Sequence, residues 1–272
     1  MIPFEPWIAF VLGLLVGSFL NVCIHRLPRE LTVWSPARSF CPHCENSLAW
    51  YDNIPVLSYL LLRGRCRHCG AAISWRYPAV ELLTAILFAL IASLGLPGAY
   101  TAKFVVFAAI LVTLTVSDFE ERFLPDAFTL GGAIVGVVFA YFAPFKMGAI
   151  FFMLQGTYGT NMASVIESFF AAVSLSGILW VLGEVYYRVR GKEGLGLGDV
   201  KMLATLGAFL GLQGAILSLM VASVLGTLLG VGYMLFARKD FASYELPLGS
   251  FLGMAGIGLA YMLLPSLVPG FR

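Results

Sequence analysis

Long apolar runs alternate with short polar segments along almost the whole chain. A helix that crosses a bilayer needs about 20 mostly apolar residues, and eight stretches approach that length. They cover residues 7–24, 77–96, 104–123, 127–143, 164–187, 195–212, 215–236 and 249–268. The pattern predicts an all-α polytopic membrane protein with about eight transmembrane helices. The junction of the sixth and seventh spans is poorly defined, because Gly211 and Gly214 interrupt it.

The composition supports this fold class. Of the 272 residues, 60% are hydrophobic and 12% are charged, and the mean hydropathy is +0.89; a soluble domain is about 45–50% apolar. The net charge is only +2. With no long basic run and no nucleic-acid motif, we expect no nucleic-acid partner. No lysine or arginine precedes the first apolar run, so we interpret that run as a retained helix and not a signal peptide.

Two of the polar segments between the spans are longer than the others. Residues 25–76 form an insert long enough for a small domain, and residues 144–163 are expected to form a featureless loop. The chain then divides into a first helix (1–24), the insert (25–76) and a membrane core (77–272).

The positive charges predict the orientation. With the N-terminus outside and eight crossings, all but three of the 17 lysines and arginines lie on the cytoplasmic side, the exceptions being Lys103, Lys146 and Arg272. Lysine and arginine are enriched in cytoplasmic loops. The insert and the loops near residues 118–126 and 188–199 are therefore expected to face the cytoplasm.

Four of the five cysteines form two CxxC pairs within the insert. Cys41 and Cys44 are separated from Cys66 and Cys69 by residues 45–65, a spacing close to that of zinc ribbons. Four thiolates suit a closed, structural zinc site, and the insert has too few large apolar residues for much of a core. We predict structural zinc; a disulfide fits a reducing cytoplasm poorly, and an iron–sulfur cluster is the remaining alternative.

Two aspartates lie at the predicted cytoplasmic ends of separate spans. The apolar run 104–117 is about 21 Å long as a helix, shorter than a hydrocarbon core of about 30 Å, so its helix should continue past Asp118. Asp199 begins the sixth span in the same way. Acids at such depth are costly and usually functional. Two alternatives remain open: Asp118 pairs with Arg122 one turn on, and Asp199 simply begins a helix.

Two carboxyl groups at one depth suggest a catalytic pair. Like charges a few ångström apart do not both ionise easily, so such a pair shares one proton. One member then acts as a base on water while the other donates to the scissile carbonyl. Gly196 and Gly198 would let backbone or substrate approach closely, and we count Asp126 and Lys201 among the supporting residues of this site.

At these residues the chain resembles the type IV prepilin peptidases, a family of GxGD-type intramembrane aspartic proteases. "SDFEERFLPD" is similar to their D-x5-[IL]-P-[DN] motif and "GLGD" to their G-x-G-D motif, which gives Asp118 and Asp199 the places of the two catalytic aspartates. "GSFLNVCIHRLP", the two CxxC pairs and "RYPAVELLTA" resemble the bifunctional bacterial members. The resemblance covers nearly the whole chain.

The resemblance implies a function. Such enzymes cleave the basic leader of prepilins and pseudopilins at the cytoplasmic face of the bacterial inner membrane. The bifunctional members then methylate the new N-terminal amine with S-adenosylmethionine, and the insert with its flanking helices would be the methyltransferase part. Acidic residues outside the pair, such as Glu120, Glu121, Asp126 and Glu193, either attract the basic leader or form a solvated face.

The residues that transfer the methyl group do not follow from the sequence. No glycine-rich dinucleotide-type loop follows a predicted strand. Glu81 is the one weak candidate for contact with the cofactor or the substrate amine, and an acid favoured near a helix start is the alternative.

Three rival functions use the same features. A proton-coupled transporter would use the paired aspartates as a relay, but no paired halves with broken helices are evident in the sequence. A zinc metalloprotease would need a motif such as HExxH, which the chain lacks. A scaffold of a pilus or secretion machine would bind prepilin without processing it. Prepilins and membrane lipid are the expected partners, and the oligomeric state is left open.

Overall fold

A computed structural model describes residues 5–34, 38–41, 43–145, 147–192, 194–237 and 247–267. This part of the chain is almost entirely helical, with two isolated β-bridges in the insert. Its α-helices are α1 (Pro6–Arg26), α2 (Leu57–Leu61), α3 (Arg76–Ser93), α4 (Gly98–Glu121), α5 (Asp126–Phe142), α6 (Ala149–Arg190), α7 (Leu197–Ala237) and α8 (Leu248–Leu267). The all-α fold class is confirmed.

Five of the described helices are long and apolar enough to cross a membrane, namely α1, α3, α4, α6 and α7, and α5 and α8 are shorter apolar helices. The chain is therefore a multi-pass membrane protein. The predicted sixth and seventh spans are the two helical segments of α7, which meet at a break where Gly211 adopts a left-handed backbone with φ of +72°. Gly159 breaks α6 in the same way, with φ of +77°.

The predicted loop over residues 144–163 is wrong, because α6 begins at Ala149. Its first turn is stabilised from within the protein: the carboxylate of Glu167 accepts a hydrogen bond from the backbone N–H of Phe151 at 3.0 Å. Both Phe151 and Glu167 are buried. Tertiary packing thus stabilises a helix whose Gly- and Thr-rich sequence favours a loop.

The chain divides into two compact units, residues 1–101 and residues 102–272. In the first unit, α1 crosses α3 at the small-residue stretch GLLVG, residues 13–17. A Cβ on Gly13 would lie 2.5 Å from Ala85 Cα, and one on Gly17 would lie 2.7 Å from Glu81 Cα. Small residues four apart allow membrane helices to approach backbone to backbone. This close crossing sets the position of Glu81.

In the second unit, α7 packs against α5, α6 and α8. A Cβ on Gly136 of α5 would lie 2.7 Å from Ala208 Cβ, and the Thr205 hydroxyl donates to the Thr129 carbonyl at 2.6 Å. These contacts hold the start of α7 beside the start of α5. The end of α4 and the start of α8 lie at the same end of this unit, because Ser250 of α8 contacts Asp118 of α4.

Lys103 occupies the other end of α4 and is almost fully buried. Its ammonium group donates to the Ala143 carbonyl, just beyond α5, at 3.3 Å and lies 4.5 Å from the centre of the Phe145 ring. A cation near the C-terminal end of a helix is favoured by the helix dipole. Asp118 and Lys103 therefore lie at opposite ends of α4.

Candidate active site

Asp118 lies in the last turn of α4, which continues to Glu121 as its length requires. Its side chain is buried, with 6% of the residue exposed. No ion pair to Arg122 is present in the described part of the chain; Arg122 follows the end of the helix and adopts a left-handed backbone with φ of +54°. Asp118 therefore faces the protein interior and does not form the alternative pair with Arg122.

The carboxylate of Asp118 is held by the first turn of α8. Its Oδ2 atom accepts a hydrogen bond from the backbone N–H of Ser250 at 2.6 Å and lies 2.8 Å from the Ser250 hydroxyl. Backbone N–H groups in a first turn have no partner within their own helix. A carboxylate at this position satisfies one of them and interacts favourably with the helix dipole.

Asp199 lies in the first turn of α7 and is partly buried. Its backbone N–H donates to the Gly196 carbonyl at 3.1 Å, which begins the helix. The residue before it, Gly198, packs against Leu124, and Leu124 also packs against Gly249 beside Asp118. The fold thus places two acids that are far apart in the sequence at helix ends in the same part of the second unit.

Leu124 of the "FLPD" stretch lies between glycines in the first turns of two helices, Gly198 of α7 and Gly249 of α8. A Cβ on Gly198 and a Cβ on Gly249 would each lie 3.0 Å from the same methyl group, Leu124 Cδ1. The Cβ on Gly249 would also lie 3.0 Å from Asp118 Cγ. Glycine at both positions therefore lets the start of α7 and the start of α8 approach Leu124 and Asp118 closely.

The predicted supporting residues lie beside this pair. Lys201 donates to Asp126 Oδ1 at 2.7 Å and so links the first turns of α7 and α5. A Cβ on Gly196 would lie 3.3 Å from Asp199 Oδ2, so Gly196 leaves room beside that carboxyl group. Glu120 and Glu121 are exposed at the end of α4, while Glu193 lies outside the described residues.

The four cysteines of the insert form one cluster. The Sγ atoms of Cys41, Cys44, Cys66 and Cys69 all lie within 4.8 Å of one another. The Cys41 and Cys69 Sγ atoms are 3.8 Å apart, which is the edge of a tetrahedron with metal–sulfur bonds of about 2.3 Å. The arrangement is compatible with zinc and leaves no position open for a catalytic water.

Each CxxC pair forms the same tight turn. The Cys41 N–H donates to the Asn46 carbonyl, and the Cys66 N–H donates to the Ala71 carbonyl. Backbone N–H groups, that of Cys69 first, point at the Cys66 sulfur and lower the pKa of its thiol to about 6. Thiolate is the form that binds a metal.

An ion pair between a half-exposed arginine and a buried aspartate joins the second turn to the rest of the insert. Arg67 donates to both carboxylate oxygens of Asp52, at distances from 2.7 to 3.1 Å. These hydrogen bonds raise the pKa of the Arg67 guanidinium. The pair fixes the turn that carries Cys66 and Cys69 against the segment over Trp50–Asn53.

Glu81 is buried in α3, beyond the first turn of that helix. Its Oε2 atom accepts a hydrogen bond from the backbone N–H of Val56 at 2.7 Å. Glu81 therefore connects α3 to the insert, and it lines a cavity of the first unit that is described below.

Sequence reasoning missed Ser250, Leu124, Gly249 and the GLLVG crossing. A Pro-x-Gly-Ser stretch at residues 247–250 marks a helix start, but nothing local indicates which acid that start faces. Small residues at positions 13 and 17 match the spacing of close-packed membrane helices, and this signal was present in the sequence.

Comparison with known families finds two matches. The Bacterial Peptidase A24 N-terminal domain matches residues 11–94, and the Type IV leader peptidase family matches residues 105–231. The second match contains Asp118 and Asp199, and the first contains the four cysteines and Glu81. No solved structure matches the chain.

Curated relatives match over most of the chain. The prepilin leader peptidase/N-methyltransferase of Aeromonas hydrophila is 37% identical, covering 92% of this chain and 90% of the relative. The protein of the same name from Klebsiella pneumoniae is 39% identical, covering 79% of this chain and 89% of the relative. That from Neisseria gonorrhoeae is 35% identical, covering 88% of this chain and 86% of the relative. With this identity over nearly its full length, the chain belongs to the type IV leader peptidase family.

Proposed function

We propose that the chain is a membrane aspartic endopeptidase that removes the leader peptide of prepilins and then methylates the new N-terminal amine. The observation that carries the proposal is the pair of aspartates at the ends of α4 and α7, with Asp118 held by α8. Family membership and relatives named for both activities support the two reactions. We propose the bacterial inner membrane as its location, with the pair at the cytoplasmic face.

Asp118 and Asp199 would hydrolyse the peptide bond with one proton between them. The ionised carboxylate takes a proton from water as the water oxygen attacks the scissile carbonyl, and the protonated carboxyl donates to the carbonyl oxygen. The tetrahedral intermediate collapses when the nitrogen of the leaving amine receives a proton. Because Oδ2 of Asp118 accepts two hydrogen bonds from Ser250, a proton on Asp118 would lie on Oδ1.

The insert would hold zinc through its four cysteines in a structural role. We assign it with α1 and α3 to methyl transfer, in which S-adenosylmethionine supplies an electrophilic methyl group. Exposed acids near Asp118, including Glu120 and Glu121, would attract the basic leader; Asp126 already pairs with Lys201. Prepilins and pseudopilins are the proposed substrates.

Neither of two rival functions, a zinc metalloprotease and a proton-coupled transporter, gains support. The closed cluster of four thiols leaves no place for the water of a metalloprotease. The relatives carry the names of processing enzymes and not of transporters.

Cleavage of a purified prepilin by the purified protein, read by mass spectrometry with S-adenosylmethionine present, tests both reactions. Asp118→Asn and Asp199→Asn should each abolish leader removal while the unfolding temperature stays near that of the unmodified protein. Glu184→Gln, at an exposed acid of α6, is the control and should cleave normally. Full activity in either aspartate variant rejects the pair, and binding of prepilin without cleavage favours a scaffold.

A further inference from the structure

The first unit contains a cavity that the aspartate pair does not use. It has a volume of about 360 Å³ and is lined by α1, α3 and the insert. Small-molecule sites typically measure about 300–1,000 Å³. Every residue that lines the cavity belongs to residues 18–81, so the chemistry of this cavity is that of the first unit alone.

One wall of the cavity carries a buried acid. Glu81 is 7% exposed, and no lysine or arginine in the described part of the chain lies within ion-pair distance of it. Its hydrogen-bond donor is the Val56 N–H, and Ser18 lines the cavity with it. A buried carboxylate in a membrane helix costs about 2.5–3.5 kcal/mol on insertion scales, so a cationic ligand would stabilise it.

A second polar side chain that lines the cavity, Asn21, has an acceptor oxygen without a hydrogen-bond donor among the described residues. Asn21 is 3% exposed, and its side-chain amide donates to the Tyr77 carbonyl at 3.0 Å. This hydrogen bond identifies the nitrogen, and the Oδ1 atom accepts no hydrogen bond in the structure. A buried oxygen without a donor is rare in proteins and needs an explanation. A ligand that donates a hydrogen bond would satisfy it.

The insert forms the facing wall. Cys41 and Cys66 line the cavity and also belong to the cluster of four thiols. Tyr59, Tyr77 and Leu48 add aromatic and apolar surface to the lining. The cysteine cluster therefore shapes a cavity that combines an uncompensated negative charge, a free carbonyl oxygen and an apolar surface.

We propose that this cavity binds the methyl donor S-adenosylmethionine, with Glu81 and Asn21 Oδ1 accepting hydrogen bonds from its ammonium group. The inference rests on the proposed methyltransferase activity and places its donor site in the cavity of the first unit. The ligand carries two positive charges, a carboxylate and a purine. Glu81 matches the ammonium, Arg26 in the lining matches the carboxylate, and the apolar lining matches the purine. In the transfer, the N-terminal amine of the processed pilin attacks the methyl carbon, the carbon–sulfur bond breaks with its electrons going to sulfur, and the amine then loses a proton to solvent.

Equilibrium binding of labelled S-adenosylmethionine to the purified full-length protein, loaded with zinc, tests the site. Glu81→Gln keeps an acceptor for Val56 but removes the charge, and Asn21→Leu removes the unpaired oxygen. Each should weaken binding at least tenfold, about 1.4 kcal/mol, while prepilin cleavage stays within about twofold of the unmodified protein. Glu184→Gln makes the same chemical change outside the cavity and should bind normally.

Several outcomes overturn the inference. If the unmodified protein methylates prepilin but Glu81→Gln binds the donor normally, the cavity is not the site, and the proposed function stands. If Glu81→Gln loses cleavage and binding together with a lower unfolding temperature, its role is structural and the inference fails. If the unmodified protein cleaves prepilin but neither binds the donor nor methylates, both the cavity assignment and the proposed methyltransferase activity fall.

Discussion

Ser250 directs its backbone N–H and its hydroxyl at the same oxygen of Asp118, at 2.6 and 2.8 Å. The contact joins α4 to α8 across 132 residues of sequence. It fixes the orientation of one catalytic candidate before substrate arrives, which is how positioning residues contribute to catalysis.

Ser250→Ala should lower kcat for prepilin cleavage about tenfold and leave KM nearly unchanged. The backbone N–H remains, but a hydrogen bond to a charged group is lost, and such bonds contribute about 1.5–3 kcal/mol. Steady-state cleavage kinetics measure the effect. Ser250→Thr should restore most of the rate, and Ser223→Ala, at an exposed serine of α7, should change nothing. A normal rate for Ser250→Ala would exclude the positioning role.

Gly249→Ala should lower cleavage about tenfold, because its methyl group would lie 3.0 Å from both Asp118 Cγ and Leu124 Cδ1. Gly258→Ala on the same helix is the matched control, since a Cβ there would meet nothing within 4 Å. The control should cleave normally and gain up to about 1 kcal/mol of helix stability. Cleavage rates and unfolding temperatures check both variants, and equal activity in the two would contradict the close approach at Gly249.

Gly17→Val should abolish methylation by separating α1 from α3. A Cβ on Gly17 would lie 2.7 Å from Glu81 Cα, so the backbones must move apart. Leu15→Val, two residues earlier on α1 at a position 56% exposed, is the control and should keep both activities. Mass spectrometry of the processed pilin distinguishes leader removal from methylation. Methylation at a normal rate in Gly17→Val would refute the dependence on this crossing.

Acid should release the metal from the insert. Backbone N–H groups lower the pKa of the Cys66 thiol to about 6, whereas burial raises the pKa of the Cys69 thiol to about 11. Protons compete with zinc for the sulfur atoms, so we expect bound zinc at pH 7 and progressive loss in acid, measured with a chromophoric chelator.

Cys23→Ser is the control for this titration, because Cys23 lies in α1, outside the cluster. Its zinc-release curve should coincide with that of the unmodified protein. Zinc retained at pH 4, or absent at pH 7, would contradict the assignment of the four thiols.

The sequence sufficed where the signal is local. Apolar runs located the membrane helices, and the CxxC spacing identified four cysteines whose sulfur atoms do converge. The length argument for α4 correctly extended the helix past Asp118. These inferences depend only on neighbours along the chain or on a spacing that one metal geometry demands.

The sequence did not suffice where a residue far away along the chain determines the local structure. The first turn of α6 is stabilised because Glu167 accepts a hydrogen bond from the backbone N–H of Phe151. The sequence near residue 151 gives no indication of that acceptor. The same holds for Ser250, whose partner lies on α4. The break between the predicted sixth and seventh spans, by contrast, was read correctly from the glycines, because Gly211 leaves the helical conformation there.

Leu124 gives the proposed active site an unusual kind of robustness. One methyl group rests against both Gly198 and Gly249, and a hydrocarbon neither gains a proton nor responds to salt. The gap that separates the starts of α7 and α8 is thus set by the bulk of a side chain with no charge of its own. In the proposed mechanism the two carboxyl groups would exchange their proton during each turnover, while the spacing set by Leu124 would stay the same.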